Sequence, residues 1–444
     1  MMGIIKAIYT KQKQYLESQL ESQFFRKMNK TQFQLLRPSH NVQLNARKLA
    51  PQILRPTHLK ITIVTETWAP EINGVANSLL NLCLGLQSWG HQIQLIRPKP
   101  KQQCMRFKPE KECWVRAQAI PKYPTLQFGW PQISKISNAL DDFQPDIVHI
   151  VTEGPLGCAS LFVAKSKGIP ISSGFHSAFQ EFSRYFEFPL LVKPIARYLT
   201  WFHNRTQITC VPSQDTAVDL KNMGVRGRLQ VVGRGVDTQL FSSNKRSHAV
   251  RASWGVSEQT RVLLSVGRLS PEKEVGLIIE TYKKMFDQGI QNMVLVIVGD
   301  GPDRVHLEKL AGAARVIFTG SLVGEALAQV YASADVFVFP SQVETFGNVV
   351  LEALASGLPV LAYDYACAKL HVRPEQTGWL IPFGNQSAFI LALYGLPEQS
   401  VLQRMGQQAE QEVATAGWRQ PIQDFESALY IAVEHLHAHK KLKS

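Results

Sequence analysis

The sequence predicts an α/β protein built from two doubly wound domains in tandem. Two series of short apolar strands alternate with helix-length segments, one beginning near residue 60 and the other at residue 261. Such alternation predicts parallel sheets, because parallel neighbours need a crossover connection between them. A length of 444 residues suits two domains, each with a sizeable core.

The first series opens with Leu59-Lys60-Ile61-Thr62-Ile63-Val64-Thr65, an apolar run of strand length. Gly74 is expected to open the helix that follows, and further strands are expected near 93–97, 146–151, 171–175 and 208–212. The second series opens with Arg261-Val262-Leu263-Leu264-Ser265-Val266-Gly267 and continues through 293–298, 316–319, 335–339, 359–363 and 379–381. The expected domains are therefore 57–235 and 236–419, meeting near Gly233-Arg234-Gly235-Val236-Asp237.

Residues 1–56 stand outside this alternation. Ile8, Leu16, Leu20, Phe24 and Met28 recur at multiples of four, the spacing of an amphipathic helix. Its other face is rich in Lys, Arg and Gln, which suits an anionic membrane surface. The competing readings are a polar leader without fixed structure, or translation that begins at Met28. The net charge of +13 is concentrated at the ends, with +9 in residues 1–60 and +3 in the last ten. The body that would carry chemistry is thus nearly neutral, and the charge concerns attachment more than catalysis.

No apolar run approaches the ~20 residues that cross a bilayer, and the N-terminus is too polar for a secretory signal peptide. Six scattered cysteines without a Cys-x-x-Cys pair read as a reduced, cytosolic pattern with neither disulfide framework nor zinc site. No Gly-x-Gly-x-x-Gly occurs, which argues against a nicotinamide-dependent oxidoreductase.

The chemistry-bearing run is Val343-Glu344-Thr345-Phe346-Gly347-Asn348-Val349-Val350-Leu351-Glu352. The strand before it and the stop at Gly357 and Pro359 place Glu344 in a loop at a strand's carboxyl end and Glu352 in the next helix. Open α/β sheets bind ligands at that edge. The N–H groups of Phe346, Gly347, Asn348 and Val349 would open the helix toward an anion. Carboxylates suit vicinal hydroxyls, so this arrangement fits a nucleotide sugar. Both glutamates also admit a plainer reading as helix-end charges favoured by the macrodipole.

This run resembles the paired-glutamate motif of retaining glycosyltransferases of family 4, which have the GT-B fold: two Rossmann-like doubly wound domains facing across a cleft. The resemblance covers about residues 57–436 and is closest to bacterial mannosyl- and glycolipid-forming members. It implies that Glu344 reaches the donor sugar and Glu352 the ribose. Gly267-Arg268-Leu269-Ser270-Pro271-Glu272-Lys273 resembles the segment in which an arginine and a lysine grip the donor diphosphate. With no Asp-x-Asp in the chain, Arg268 and Lys273 would stabilise the departing diphosphate without a metal. The resemblance further places Gly74 in a glycine loop facing the donor and points His176, in Ser173-Gly174-Phe175-His176-Ser177, at the transferred sugar. The final helix, about 420–436, would cross back onto the first domain.

The expected partners are a nucleotide diphosphate sugar such as GDP-mannose or UDP-glucose, a lipid or glycan acceptor, and the inner face of an anionic membrane. No cofactor and no nucleic acid are expected. The family's common Gly-Gly pair is replaced here by Asp364-Tyr365-Ala366-Cys367-Ala368-Lys369, which leaves the sugar open. A nucleotide-sugar epimerase of the same architecture is the alternative in another enzyme class, and a nucleic-acid binder using the basic ends is a third. The aromatic and cationic stretches Arg184–Lys193 and Arg197–His203 admit either a membrane interface or one packed helix with a cationic outer side.

Overall fold

The computed structural model describes residues 57–71, 73–100, 104–120, 123–176 and 189–441. The amphipathic pattern read in residues 1–56 lies outside these.

The first series forms β1 (Lys60–Val64), α1 (Gly74–Ser88), β2 (Gln92–Pro98), β3 (Lys111–Val115), β4 (Ala117–Ile120), β5 (Tyr123–Gly129), α2 (Ile133–Phe143), β6 (Ile147–Ile150), α3 (Pro155–Ser166), β7 (Ile171–Gly174), α4 (Pro189–His203), β8 (Ile208–Val211), α5 (Gln214–Met223) and β9 (Arg228–Val231). Seven of these strands make one parallel sheet in the order β3-β2-β1-β6-β7-β8-β9, while β4 and β5 form a separate antiparallel pair. The central strands are the ones the apolar runs predict. The additional β3 and β9 lie at the two edges, and exposure explains why no apolar run marks them. Lys111, Glu112 and Trp114 of β3 face outward, and so does Arg228 of β9.

The second series forms α6 (His248–Ser253), β10 (Arg261–Val266), α7 (Val275–Asp287), β11 (Met293–Val298), α8 (Arg304–Ala311), β12 (Val316–Gly320), α9 (Gly324–Ser333), β13 (Val336–Phe339), α10 (Asn348–Ala355), β14 (Val360–Tyr363), α11 (Ala366–His371), β15 (Gly378–Ile381), α12 (Gln386–Tyr394) and α13 (Gln399–Glu412). Its sheet is parallel throughout, in the order β12-β11-β10-β13-β14-β15. Both faces are covered. Val262, Leu264, Phe337 and Val360 pack toward α9 and α10, and Leu263, Val336, Val338 and Leu361 pack toward α7 and α12. Strands buried on both faces must be apolar at successive positions, which is why β11 reads Met-Val-Leu-Val-Ile-Val.

In each sheet the chain builds outward from a central strand on one side and then returns to the other. The order therefore reverses between β1 and β6, and again between β10 and β13. A crevice opens at the carboxyl ends of the strands at such a reversal. The two switch points fix where each domain can hold a ligand.

The last helix, α14 (Arg419–Lys441), packs against the first sheet. Ile422, Phe425, Ala428, Leu429, Ala432 and Val433 lie in one core with Ile61, Ile63, Leu79, Leu86 and Ile93. Phe425 also stacks edge-on against His149 with ring centroids 4.8 Å apart, and Glu426 accepts from His91 at 2.9 Å. Replacing Phe425 by Ala should cost about 3–5 kcal/mol through the cavity it leaves. Thermal unfolding should show a clearly lowered midpoint; an unchanged midpoint would mean that α14 is not part of this core.

Candidate active site

The loop after β10 is shaped by close backbone approach to the loop after β11. A Cβ on Gly299 would lie 1.9 Å from the Gly267 carbonyl oxygen, and one on Gly301 would lie 2.2 Å from that of Leu269. Glycine alone permits the crossing. Arg268 emerges there exposed, with no side-chain partner among the described residues.

Lys273, five residues on, turns toward the loop after β13. Its ammonium donates to Glu344 Oε1 at 2.5 Å, to the Val343 carbonyl at 2.6 Å and to Ser341 Oγ at 3.2 Å. Ser341 donates to the same Glu344 oxygen at 2.9 Å. Both charged side chains are about 15 % exposed, at 16 % and 15 %. The two loops are strapped further by Glu274, which accepts from Gln342 at 2.5 Å and from the Tyr363 hydroxyl at 2.9 Å. The pair Lys273–Glu344 thus spans the switch point between β10 and β13.

The helix after Glu344 starts at Asn348, two residues later than Phe346, so only Asn348 and Val349 of the expected run are helical. Phe346 is buried, and its carbonyl accepts from the Cys367 amide at 2.8 Å. Gly347 is the N-cap, at φ +91°, with Glu344 Cγ 3.5 Å from where its Cβ would be. That conformation suits glycine and lets the carboxylate fold back beside the helix start. The first amides of a helix have no partner within it. Asn348 reaches across to the first domain and donates its side-chain amide to Ser78 Oγ on α1 at 3.2 Å.

Glu352 lies one turn further in and accepts from the Tyr331 hydroxyl at 3.1 Å. Burial pushes its carboxyl up to about 7, against the opposing pull of that hydrogen bond. The two glutamates of the run therefore differ in kind. Glu344 is paired with a cation; Glu352 is held in a dry niche with a neutral donor.

In the first domain Gly74 begins α1, capped by Asn73, which accepts from the Ala76 amide at 2.8 Å. Nothing lies within 4 Å of where a Gly74 Cβ would be, so the backbone there is open to approach. His176 sits two residues past β7 and lines a small cavity with Ser78, Val75, Cys210 and Arg234. Ser78 thus touches both the His176 cavity and Asn348, which brings the first-domain histidine near the start of α10. Burial, with the Arg234 charge beside it, holds His176 well below the usual imidazole range.

Sequence reasoning passed over four groups that shape this region. Ser341 and Tyr331 hold the two glutamates, Arg234 contacts His176, and Glu66 lies two residues past β1 with Oε1 accepting from the Gly129 and Leu156 amides at 3.3 and 3.2 Å. Burial pushes Glu66 up to about 7 as well. Tyr331, Arg234 and Glu66 carry no signal in one dimension, since each depends on a partner at least twenty residues away; Ser341 sits three residues before Glu344 but also receives Lys273 from 68 residues away. Ala366, in the segment that departs from the resembled pattern, adopts φ +52°. That is a left-handed conformation that glycine would take at less cost.

A carboxyl displaced so far upward ionises within the accessible pH range, and the Tyr331 hydroxyl stabilises its charged form. Glu352 should therefore be protonated below and ionised above about pH 7. Tyr331→Phe should move that titration upward by ~1 unit, since a lost hydrogen bond to a charged group is worth about 1.5–3 kcal/mol and 1.36 kcal/mol is one unit. Carboxyl NMR, assigned by the signal missing in Glu352→Gln, reads this directly. An unmoved titration would mean that the hydroxyl does not reach the carboxylate in solution.

Residues 72–240 match the family described as Glycosyltransferase Family 4, and residues 247–412 match that of the glycosyl transferases group 1. A GDP-mannose-dependent alpha-mannosyltransferase of Mycobacterium tuberculosis is 33% identical over 74% of this chain and 85% of its own length. An alpha-monoglucosyldiacylglycerol synthase of Streptococcus pneumoniae is 27% identical over 69% of this chain and 71% of its own. Among solved structures, the sucrose-phosphate synthase from Thermosynechococcus elongatus superposes with a TM-score of 0.66 at 18% identity, covering 87% of this chain and 100% of that one. The two-domain fold, the matches to both halves and the mannosyltransferase relative agree: the chain belongs to the family 4, group 1 glycosyltransferases of GT-B architecture.

Proposed function

We propose that this glycosyltransferase is a retaining, metal-independent hexosyltransferase that moves mannose or glucose from a nucleotide diphosphate sugar to a membrane lipid. The observation that carries this reading is the contact between Lys273 and Glu344 across the switch point, with exposed Arg268 beside it. Cations at the strand ends suit the diphosphate, whose negative charge grows as the glycosidic bond breaks. The start of α10 at Asn348 and Val349 adds helix amides for the same anion. Glu344, folded back beside Gly347, faces the sugar, and Glu352 takes the ribose hydroxyls. His176 and the open backbone at Gly74 meet the sugar from the first domain. No base is assigned for the acceptor: the departing phosphate takes its proton on the face where the new bond forms.

The relatives' names support mannose and glucose as the sugars under consideration and a diacylglycerol-type lipid as acceptor. The outer face of α4 supports a membrane surface. Lys193, Ile195, Arg197 and Arg205 are exposed along it, with Arg205 stacked 4.3 Å above the Trp201 ring and exposed Phe162 5.8 Å from that ring. Cations mixed with aromatic groups suit the headgroup region. Among the described residues no helix is long and apolar enough to cross a membrane. Attachment at the inner face, helped by the basic ends, is the corresponding reading.

Two outcomes follow. Arg268→Ala and Lys273→Ala should each lower kcat ~10²-fold, as loss of a charge stabiliser does. Wild-type activity should persist in EDTA; complete loss in chelator, restored by Mn²⁺, would contradict the metal-free reading. Deleting residues 1–56 should weaken binding to anionic vesicles, since each Lys or Arg near such a surface contributes about 1 kcal/mol. Donor hydrolysis in solution should hardly change. Vesicle binding equal to that of the full chain would remove these residues from the attachment surface.

A further inference from the structure

Arg234 is a half-buried guanidinium without an acidic partner among the described residues. Among the described residues no carboxylate lies within ion-pair distance of it. Its Nη1 donates to the carbonyl oxygens of Val232 and Gly233, both at 3.2 Å, and its Nη2 lies 2.9 Å from His176 Nδ1. The cost of burying this cation shows in its acidity, which burial brings down to about 10. A group so placed is retained against a desolvation penalty.

The chemistry of the contact is one-sided. A guanidinium only donates, so the Nδ1 it meets must present a lone pair. The ring proton is then on Nε2, and the imidazole is neutral. Nε2 lies beside Gly174, where a Cβ would come within 2.5 Å of it, so only glycine leaves room for the ring in this orientation. Among the described residues Nε2 has no hydrogen-bond partner, and it is left as an N–H donor without an acceptor. Of the other titratable groups around the ring, His149 and His203 on β6 and α4 favour the neutral state, Cys210 on β8 lines the same cavity, and among the described residues no carboxylate is in contact with the ring.

We infer that Arg234 is a positioning residue that locks His176 as the Nε2–H tautomer, making it a fixed hydrogen-bond donor to the transferred sugar and never a proton acceptor. This rests on the reading that His176 faces that sugar. It also gives a structural reason why His176 itself does not serve as the base. To take a proton at Nδ1 the ring would first have to give up Arg234, and at Nε2 it already carries one.

The test uses the full chain labelled with ¹⁵N-histidine. Ring NMR of the wild type should show His176 as a neutral Nε2–H tautomer well below the ordinary histidine range, assigned by its absence in His176→Gln. In Arg234→Gln the side chain can offer Nδ1 either an amide donor or an oxygen, so the ring should lose its fixed tautomer and protonate at higher pH. The kcat of that variant should fall ~10-fold or more through misplacement, with a new loss of activity as pH drops below ~6.5, the ordinary histidine value. The donor KM should change less than threefold. Arg234→Lys, also a pure donor, should restore the tautomer. In the His176→Gln background, Arg234→Gln should add no further loss of kcat. A tautomer and pH profile unchanged in Arg234→Gln, or additive losses in the double variant, would overturn the positioning role. A His176→Gln variant of normal activity would instead overturn the sugar-facing reading, which the NMR result does not depend on.

Discussion

The ammonium of Lys273 lies where two loops from opposite sides of a switch point must meet. Its three oxygen partners, Glu344, Ser341 and the Val343 carbonyl, all come from the loop after β13, while the lysine itself follows β10. A cation and a carboxylate this far from water need each other, because removing either leaves an uncompensated charge. The pairing therefore fixes the shape of the crevice before any ligand arrives. It also leaves Arg268 as an exposed cation of the same loop.

The first domain answers this arrangement with groups that are nearly all neutral or protonatable. His176 is held uncharged, Glu66 is pushed toward neutrality by burial, and Gly74 offers bare backbone. Among the described residues, direct links between the domains include the hydrogen bond from Asn348 to Ser78 and the exposed ion pair of Lys369 with Asp215 at 3.1 Å.

Much of this was legible in the sequence where the physics is local. Strands buried on both faces read as apolar runs, and β10 to β15 are found close to where those runs place them. Glu344 and Glu352 were located by a strand before them and a Gly-x-Pro stop after them. The edge strands β3 and β9 were not legible, because exposed Lys111, Glu112 and Arg228 break the apolar pattern. The start of α10 came two residues later than the run suggests, since Phe346 is drawn into the core and Gly347 takes a left-handed cap. Arg234 was hidden for a different reason. An arginine between two glycines reads as a surface cation in a hinge, and only the fold shows that it is half-buried against His176.

The central claim is that the crevice between β10 and β13 receives the donor's nucleotide diphosphate. A crystal structure of the protein soaked with a nucleoside diphosphate tests it most directly. The account predicts the phosphates between Arg268, Lys273 and the start of α10, with the ribose hydroxyls on Glu352 and Lys273 turned from Glu344 toward the phosphate. Nucleotide bound elsewhere, with the Lys273–Glu344 contact intact, would contradict it.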